Sequence, residues 1–256
     1  MLIDGYEDLV EVGRGASAVV YRARQTAFDR IVALKVLGTT ALDDASRRRF
    51  DRECRALGTL GWHPRVVPVF DAGISASGHP YLVMEYLPEG SVADRLRSEG
   101  ALDPSDVVAI GIQTGDALEA AHRIGVLHRD VKPGNLLVGH FGGIKLADFG
   151  IAAVTSANTS VTDALAGTLS FMAPEILQGK KATPSSDVYS LGSTLFTLLT
   201  ATTAFSSPTD ESPFAALMRV VNDPLPNLRD TGTPEEVAAV VEAAMAKDPA
   251  ERCGSA

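Results

Sequence analysis

The sequence predicts an α+β protein in two parts: a β-rich lobe with one long helix, then a mostly helical lobe. Three observations carry this. Strand-type alternation broken by turn residues fills residues 6–37. One helix-period stretch and two more short strands follow, at 43–60, 66–73 and 80–85. After the linker Leu87-Pro-Glu-Gly-Ser91 the pattern changes to helices, several with proline in the first turn. The boundary therefore falls at that linker, giving domains 1–86 and 87–256.

With 256 residues the chain can bury a substantial core, and 45% apolar and 21% charged residues are ordinary for a globular protein. A formal charge of −9 and a pI of about 5.0 argue against a nucleic-acid partner or an anionic membrane surface. The N-terminus lacks a basic-then-apolar leader pattern, and no apolar run approaches the roughly 18 residues of a membrane helix. Cys54 and Cys253 lack metal-ligand spacing and are expected as free thiols of a reducing compartment.

In the first lobe, strands are expected at 6–13, 18–24 and 31–37. The first turn is Gly13-Arg14-Gly15-Ala-Ser-Ala18. Glycine there lets backbone N–H groups approach phosphate oxygens, although an ordinary flexible hairpin would read the same way. Strands on both sides exclude a dinucleotide-binding strand-to-helix turn. Val32-Ala33-Leu34-Lys35 sets a lysine into an apolar strand, where it needs a partner. Glu53 is the candidate, on the border of a helical stripe made by Phe50, Cys54 and Leu57. Surrounded by Arg47, Arg48, Arg49, Arg52 and Arg55, it would equally suit a solvated face.

In the second lobe, helices are expected at 92–97, 104–123, 184–200, 213–221 and 234–246, with caps at Asp103-Pro104 and Thr233-Pro234-Glu235. Residues 151–173 are polar without a sustained apolar period, a length of loop that is usually functional or disordered. The most informative stretch is His128-Arg129-Asp130-Val-Lys132-Pro-Gly-Asn135, with Asp148-Phe-Gly150 shortly after. Apolar runs at 135–138 and 144–147 flank a Gly-rich turn, which predicts a small hairpin with a polar cluster at each end. Asp, Asn and Asp near strand ends are hard oxygen ligands and proton acceptors, suited to magnesium and phosphoryl chemistry.

These motifs in this order resemble the eukaryotic-like serine/threonine protein kinases, most closely the bacterial branch. The anchors are Gly13-x-Gly15, Ala33-x-Lys35, Glu53, Met84-Glu-Tyr-Leu87, the 128–135 stretch, Asp148-Phe-Gly150, Ala173-Pro-Glu175, Asp187-Val-Tyr-Ser-Leu-Gly192 and Arg252. The resemblance implies the bilobal kinase fold, with a five-stranded antiparallel sheet plus one helix and then a helical lobe. It implies ATP and Mg2+ as cofactors, with Mn2+ as a substitute. Lys35 would contact the nucleotide phosphates and pair with Glu53, Asp130 would orient the substrate hydroxyl, and Lys132 would neutralise the transferring group. Asn135 and Asp148 would hold the metal. Nucleotide contacts are expected from Gly13, Arg14, Gly15, Val20, Ala33, Met84, Leu137 and the backbone of Glu85 and Leu87. Ala18 departs from the usual third glycine. Asp187 is expected to bond the backbone of the 128–129 turn, Glu175 to pair with Arg252, and His128 and Phe149 to pack with Leu57. The remaining histidines, His63, His79, His122 and His140, read as loop or helix-surface residues.

Lys132 and Thr168, the latter placed for substrate positioning, resemble Ser/Thr-specific members. Loop phosphorylation is expected at Thr162, then Ser160 or Thr159, with Arg129 as the phosphate partner. The implied partners are proteins bearing Ser or Thr, including the chain itself, and a homodimer is compatible with this. Nucleic acid and direct membrane contact are not expected. The family normally adds a further helix after Arg252, so the chain reads as a catalytic domain truncated at its C-terminal end. It would be cytoplasmic, either alone or as the cytoplasmic part of a longer, membrane-anchored protein. The competing reading is a pseudokinase, a nucleotide-binding scaffold on the same fold. A small-molecule phosphotransferase fits less well, because the segment between Asp148 and Glu175 suits a peptide substrate.

Overall fold

The computed structural model describes residues 3–15, 18–38, 43–149, 169–206 and 213–254. The chain divides into two compact units, the first running through Pro88 and the second beginning at Glu89.

The first unit is a five-stranded antiparallel sheet of β1 (Tyr6–Arg14), β2 (Ala18–Gln25), β3 (Arg30–Leu37), β4 (Val69–Ile74) and β5 (Pro80–Glu85). The strand order is β1-β2-β3-β5-β4. Alternation in β3 decides which side chains meet. Val32, Leu34 and Val36 point to one face, where they are buried with Ile3, Tyr6, Ala23 and Val83. Ala33 and Lys35 point to the other. The register sets Lys35 opposite Val20 and Leu82, Ala33 opposite Met84, and Val20 opposite Gly13. Directly paired residues share a face, so Gly13, Val20, Ala33, Lys35 and Met84 line one side of the sheet.

The helix α1 (Asp44–Gly58) begins where its capping residue predicts, for Asp43 accepts a hydrogen bond from Ser46 N–H at 2.8 Å. Phe50 and Leu57 are buried and Cys54 is half-buried, as the stripe requires. The fourth strand starts three residues later than its apolar run. Pro68 has no N–H to give the ladder, and its carbonyl instead accepts from Glu85 N–H at 3.2 Å.

The second unit contains α2 (Val92–Glu99), α3 (Pro104–Arg123), the two-stranded hairpin β6 (Leu136–Val138) and β7 (Ile144–Leu146), and the short α4 (Pro174–Leu177). It continues with α5 (Pro184–Thr200), α6 (Pro213–Asn222) and α7 (Glu235–Ala244). Ser91 and Asp94 close a reciprocal capping box at the start of α2, and the Ser91 bonds lead in holding the Asp94 carboxyl down at about 2. α7 begins one residue after Pro234, whose backbone is extended and so caps the helix from outside.

α5 is the structural centre of this unit, with every residue from Ser186 to Leu199 buried. Apart from Asp187 its side chains are apolar or carry only a hydroxyl, which suits a helix enclosed on all sides. Several of its hydroxyls bond within the helix itself: Ser190, Thr194 and Thr197 donate to the carbonyls of Ser186, Ser190 and Ser193. Gly192 allows α7 to come close, since a Cβ there would lie 2.8 Å from Met245 Cγ and 2.9 Å from Ala244 Cβ. Among the described residues no helix is long and apolar enough to cross a membrane.

Candidate active site

The polar stretch at 128–135 leaves α3 and turns into the β6–β7 hairpin, and its shape is imposed from α5. Asp187, 1% exposed, accepts from the backbone N–H groups of His128 (Oδ2) and Arg129 (Oδ1), both at 2.8 Å. The expectation for this carboxylate is met. Arg129 is thereby held at φ +66°, a left-handed conformation that costs an ordinary residue roughly 1 kcal/mol and persists because both ends are tied.

The His128 ring is wholly buried. Its Nε2 lies 2.8 Å from the carbonyl of Ala147, which can only accept, so Nε2 carries the hydrogen. Nδ1 is then the acceptor for Asp130 N–H at 3.2 Å. Burial holds this imidazole below its ordinary pKa, against the pull of Asp187 and other nearby groups. The ring packs on Phe149 with centroids 4.6 Å apart. His128 is a structural pin, with both nitrogens committed.

With the turn fixed, the functional groups converge. Lys132 Nζ lies 2.8 Å from Asp130 Oδ2, and Asn135 Nδ2 donates to the same oxygen at 3.0 Å and to the Asp130 carbonyl at 2.7 Å. Both donors meet Oδ2, which leaves Oδ1 as the second carboxylate oxygen. The amide nitrogen of Asn135 is spent on Asp130, so its Oδ1 points the other way, as an oxygen donor. Ala147 N–H bonds the carbonyl of Asn135 at 2.9 Å, so the hairpin sets Asn135 and Asp148 at its same end. Asp148 also has a left-handed backbone, with φ +65°. Two oxygen donors at one hairpin end fit a hard divalent cation that takes its other ligands from phosphate and water.

In the first unit, Gly15 N–H bonds the Ala18 carbonyl at 2.9 Å, closing the tip of the β1–β2 turn, and Ala18 is buried. Arg14 forms an exposed two-point contact with Glu11 at 2.8 and 2.6 Å. Lys35 and Glu53 are both half-buried, and Glu53 Oε2 is shielded from solvent. Met84 and Leu87 are buried at and just after the end of β5. Gly150, Thr159, Ser160, Thr162 and Thr168 lie outside the described residues.

The Glu175–Arg252 pair is also formed, with two bonds of 2.8 Å. Ser186 Oγ adds a third donor to Glu175 at 2.8 Å. Two histidines are more buried than that reading implies. His63 is buried, and its Nδ1 accepts from Arg65 N–H at 3.3 Å. His122 is buried in its side chain and reaches Asp187 Oδ2 at 2.8 Å. Its spacing could have revealed it: His122 continues the stripe of Leu118 and Gly115 on α3, both buried.

The model of the protein kinase domain family matches residues 6–256. The chain belongs to the protein kinase family. Relatives within that family include bacterial serine/threonine kinases. Serine/threonine-protein kinase PknK of Mycobacterium tuberculosis is 45% identical over 256 residues, which is 100% of this chain and 23% of the relative. A probable serine/threonine-protein kinase of Corynebacterium efficiens is 38% identical, over 98% of this chain and 40% of its own length. Serine/threonine-protein kinase PknL of M. tuberculosis is 37% identical, with 96% and 61% covered. This kinase chain thus spans about a quarter of the first relative and less than two thirds of the others.

Proposed function

We propose that the chain transfers the γ-phosphoryl group of ATP to serine and threonine hydroxyls of proteins. The observation that carries this reading is the convergence of Lys132 and Asn135 on one oxygen of Asp130, on a turn clamped by a buried carboxylate. Asp130 Oδ1 would accept or orient the proton of the attacking hydroxyl, and Lys132 would offset charge on the transferring group. Asn135 and Asp148 would hold magnesium, which supplies charge neutralisation at the phosphates when bound; manganese would serve in its place.

Lys35 would contact the α- and β-phosphates and pair with Glu53. A carboxylate oxygen shielded from water calls for such a counter-charge. The face shared by Gly13, Val20, Ala33 and Met84 would suit an adenine ring, with the backbone of Glu85 and Leu87 bonding its edge and Gly15 and Arg14 at the phosphate end. The serine/threonine preference follows the names of the relatives and the position of Lys132.

Regulation by phosphorylation of the 151–168 loop is part of the proposal, at Thr162 first and then Ser160 or Thr159. The exposed guanidinium of Arg129 would receive the phosphate, and Thr168 would help place the substrate. The chain would then be its own substrate, in a dimer or by encounter, and would work in the cytoplasm, alone or as the cytoplasmic part of a longer, membrane-anchored protein.

Labelled ATP and a generic basic protein, with Asp130→Asn beside the unaltered chain, test the activity. Equal incorporation in both would favour a nucleotide-binding scaffold and end the enzyme reading. Mass spectrometry after incubation with Mg-ATP tests the loop, and the absence of phosphate between Thr155 and Thr168 would end that part.

A further inference from the structure

The helix α1 carries five arginines, at 47, 48, 49, 52 and 55, and all five are exposed. Helical spacing gathers Arg48, Arg52 and Arg55 into one ridge, on the side opposite the buried Phe50 and Leu57. Among the described residues, none of the five side chains closes an ion pair or a hydrogen bond. Asp44 and Asp51 stand four residues before Arg48 and Arg55, and those bonds are not made either. Elsewhere on the surface, Arg14, Arg24, Arg95, Arg97, Arg123 and Arg229 are all spent on carboxylates. Like charges four apart, such as Arg48 and Arg52, oppose a helix. The ridge is therefore held against the helix's own preference.

The chain's one tryptophan lies four residues beyond α1, and Trp62 is 75% exposed. Two turn bonds of 2.9 Å, from Leu60 N–H to the Leu57 carbonyl and from His63 N–H to the Leu60 carbonyl, hold its segment at the helix end. Arginine and tryptophan are the side chains that most often carry the energy of an interface.

We infer that the α1 ridge and Trp62 form a docking surface for an acidic segment of a partner protein, rich in Asp and Glu with apolar side chains among them. Each guanidinium takes a carboxylate in its planar fork, and Trp62 covers an apolar side chain. Charge and size favour this partner. Five arginines against Asp44, Asp51 and Glu53 leave α1 at +2 in a chain of −9, so the rest of the molecule sums to −11. From Arg48 to Arg55 the ridge runs only about 10 Å. A nucleic-acid duplex or an anionic membrane spreads its charge far beyond that and meets the repulsion of the remainder. A short acidic segment meets the ridge alone. No residue of this surface is assigned a part in phosphotransfer, so the inference stands apart from that reading.

The test titrates a short synthetic peptide of alternating glutamate and leucine into the unaltered chain. Trp62 emission should move to shorter wavelength and saturate, and the affinity should weaken as salt is raised. The triple variant Arg48→Gln, Arg52→Gln, Arg55→Gln keeps good helix formers and should bind at least about tenfold more weakly. Arg97→Gln, an exposed change outside the ridge, should bind as the unaltered chain does. Anisotropy of a dye-labelled peptide extends the series to Trp62→Ala, which leaves α1 intact and should also bind more weakly. No saturable shift, or full affinity in the triple variant or in Trp62→Ala, overturns the inference. So does binding of duplex DNA or of phosphatidylglycerol vesicles as tight as that of the peptide.

Discussion

Replacing Arg252 by alanine removes a guanidinium whose five N–H groups are all engaged. Two bond the oxygens of Glu175, and three bond the carbonyls of Ala246, Ser185 and Lys247. The two side chains are 0% and 6% exposed, so Glu175 would be left as a buried charge with Ser186 and its own backbone as its remaining donors. Breaking a buried pair from one side costs about 3–5 kcal/mol. In a chain of this size each kcal/mol moves Tm by about 2–4 °C, so a fall of about 6–20 °C is expected. Thermal and urea unfolding, followed by circular dichroism, measure it. The double variant Arg252→Ala with Glu175→Ala should recover part of the loss, because it removes the stranded charge. The pH dependence has a definite sign. Burial pushes the Glu175 carboxyl up, but its bonds with Arg252, its own backbone and Ser186 outweigh that and hold it below its ordinary value of 4.5. The pair's contribution is therefore complete above about pH 4.5 and is lost as pH falls through the lower folded value. The penalty of Arg252→Ala should shrink on acidification. A loss under about 1 kcal/mol at pH 7, or strict additivity in the double variant, would refute the reasoning.

Asp187→Asn should lower kcat for phosphotransfer by about tenfold or more, since the carboxamide cannot accept at both positions that hold His128 and Arg129; an unchanged kcat would count against the clamp. Cys54 should resist alkylation at pH 8 while the exposed Cys253 reacts. Burial pushes the Cys54 thiol up to about 12, leaving a thiolate fraction of about one in ten thousand at that pH. Peptide mass spectrometry after a timed iodoacetamide pulse distinguishes the two. Lys247 bonds the Val220 carbonyl at 2.6 Å over the Phe205 ring, and burial lowers its pKa from 10.5 to about 8. The unfolded chain then holds more protons between those values, so stability should rise with pH from about 8 to 10.5. Lys247→Met should remove that rise from a series of urea midpoints.

The elements were largely legible because each carries its own local instruction. Asp43 begins α1, Pro104 and Pro184 begin α3 and α5, and strict alternation marks β3. The catalytic turn was legible in composition but only partly in geometry. That Asp130, Lys132 and Asn135 lie close together follows from their spacing; that Asn135 spends its nitrogen on Asp130 does not. His122 was misread because a polar residue near a helix end resembles a solvated cap, while the partner that buries it lies 65 residues away. Val66 and Val67 look like strand residues and are buried, but Pro68 delays the ladder beyond them. No periodicity in a sequence reports the place where a backbone lacks a donor.

The left-handed Arg129 and its neighbours contain little that would hold them in place unaided. Much of their order is lent by α5, the most enclosed helix of its unit, through the Asp187 carboxylate and the Thr194 hydroxyl, which donates to the Val131 carbonyl at 3.3 Å. Chemistry and bulk stability are thereby joined in one element. A kinase built in this way should not lose its catalytic turn first on warming and its fold later. The turn should survive as long as α5 does, so activity and near-ultraviolet signal should fade together, with no inactive but folded stage between them.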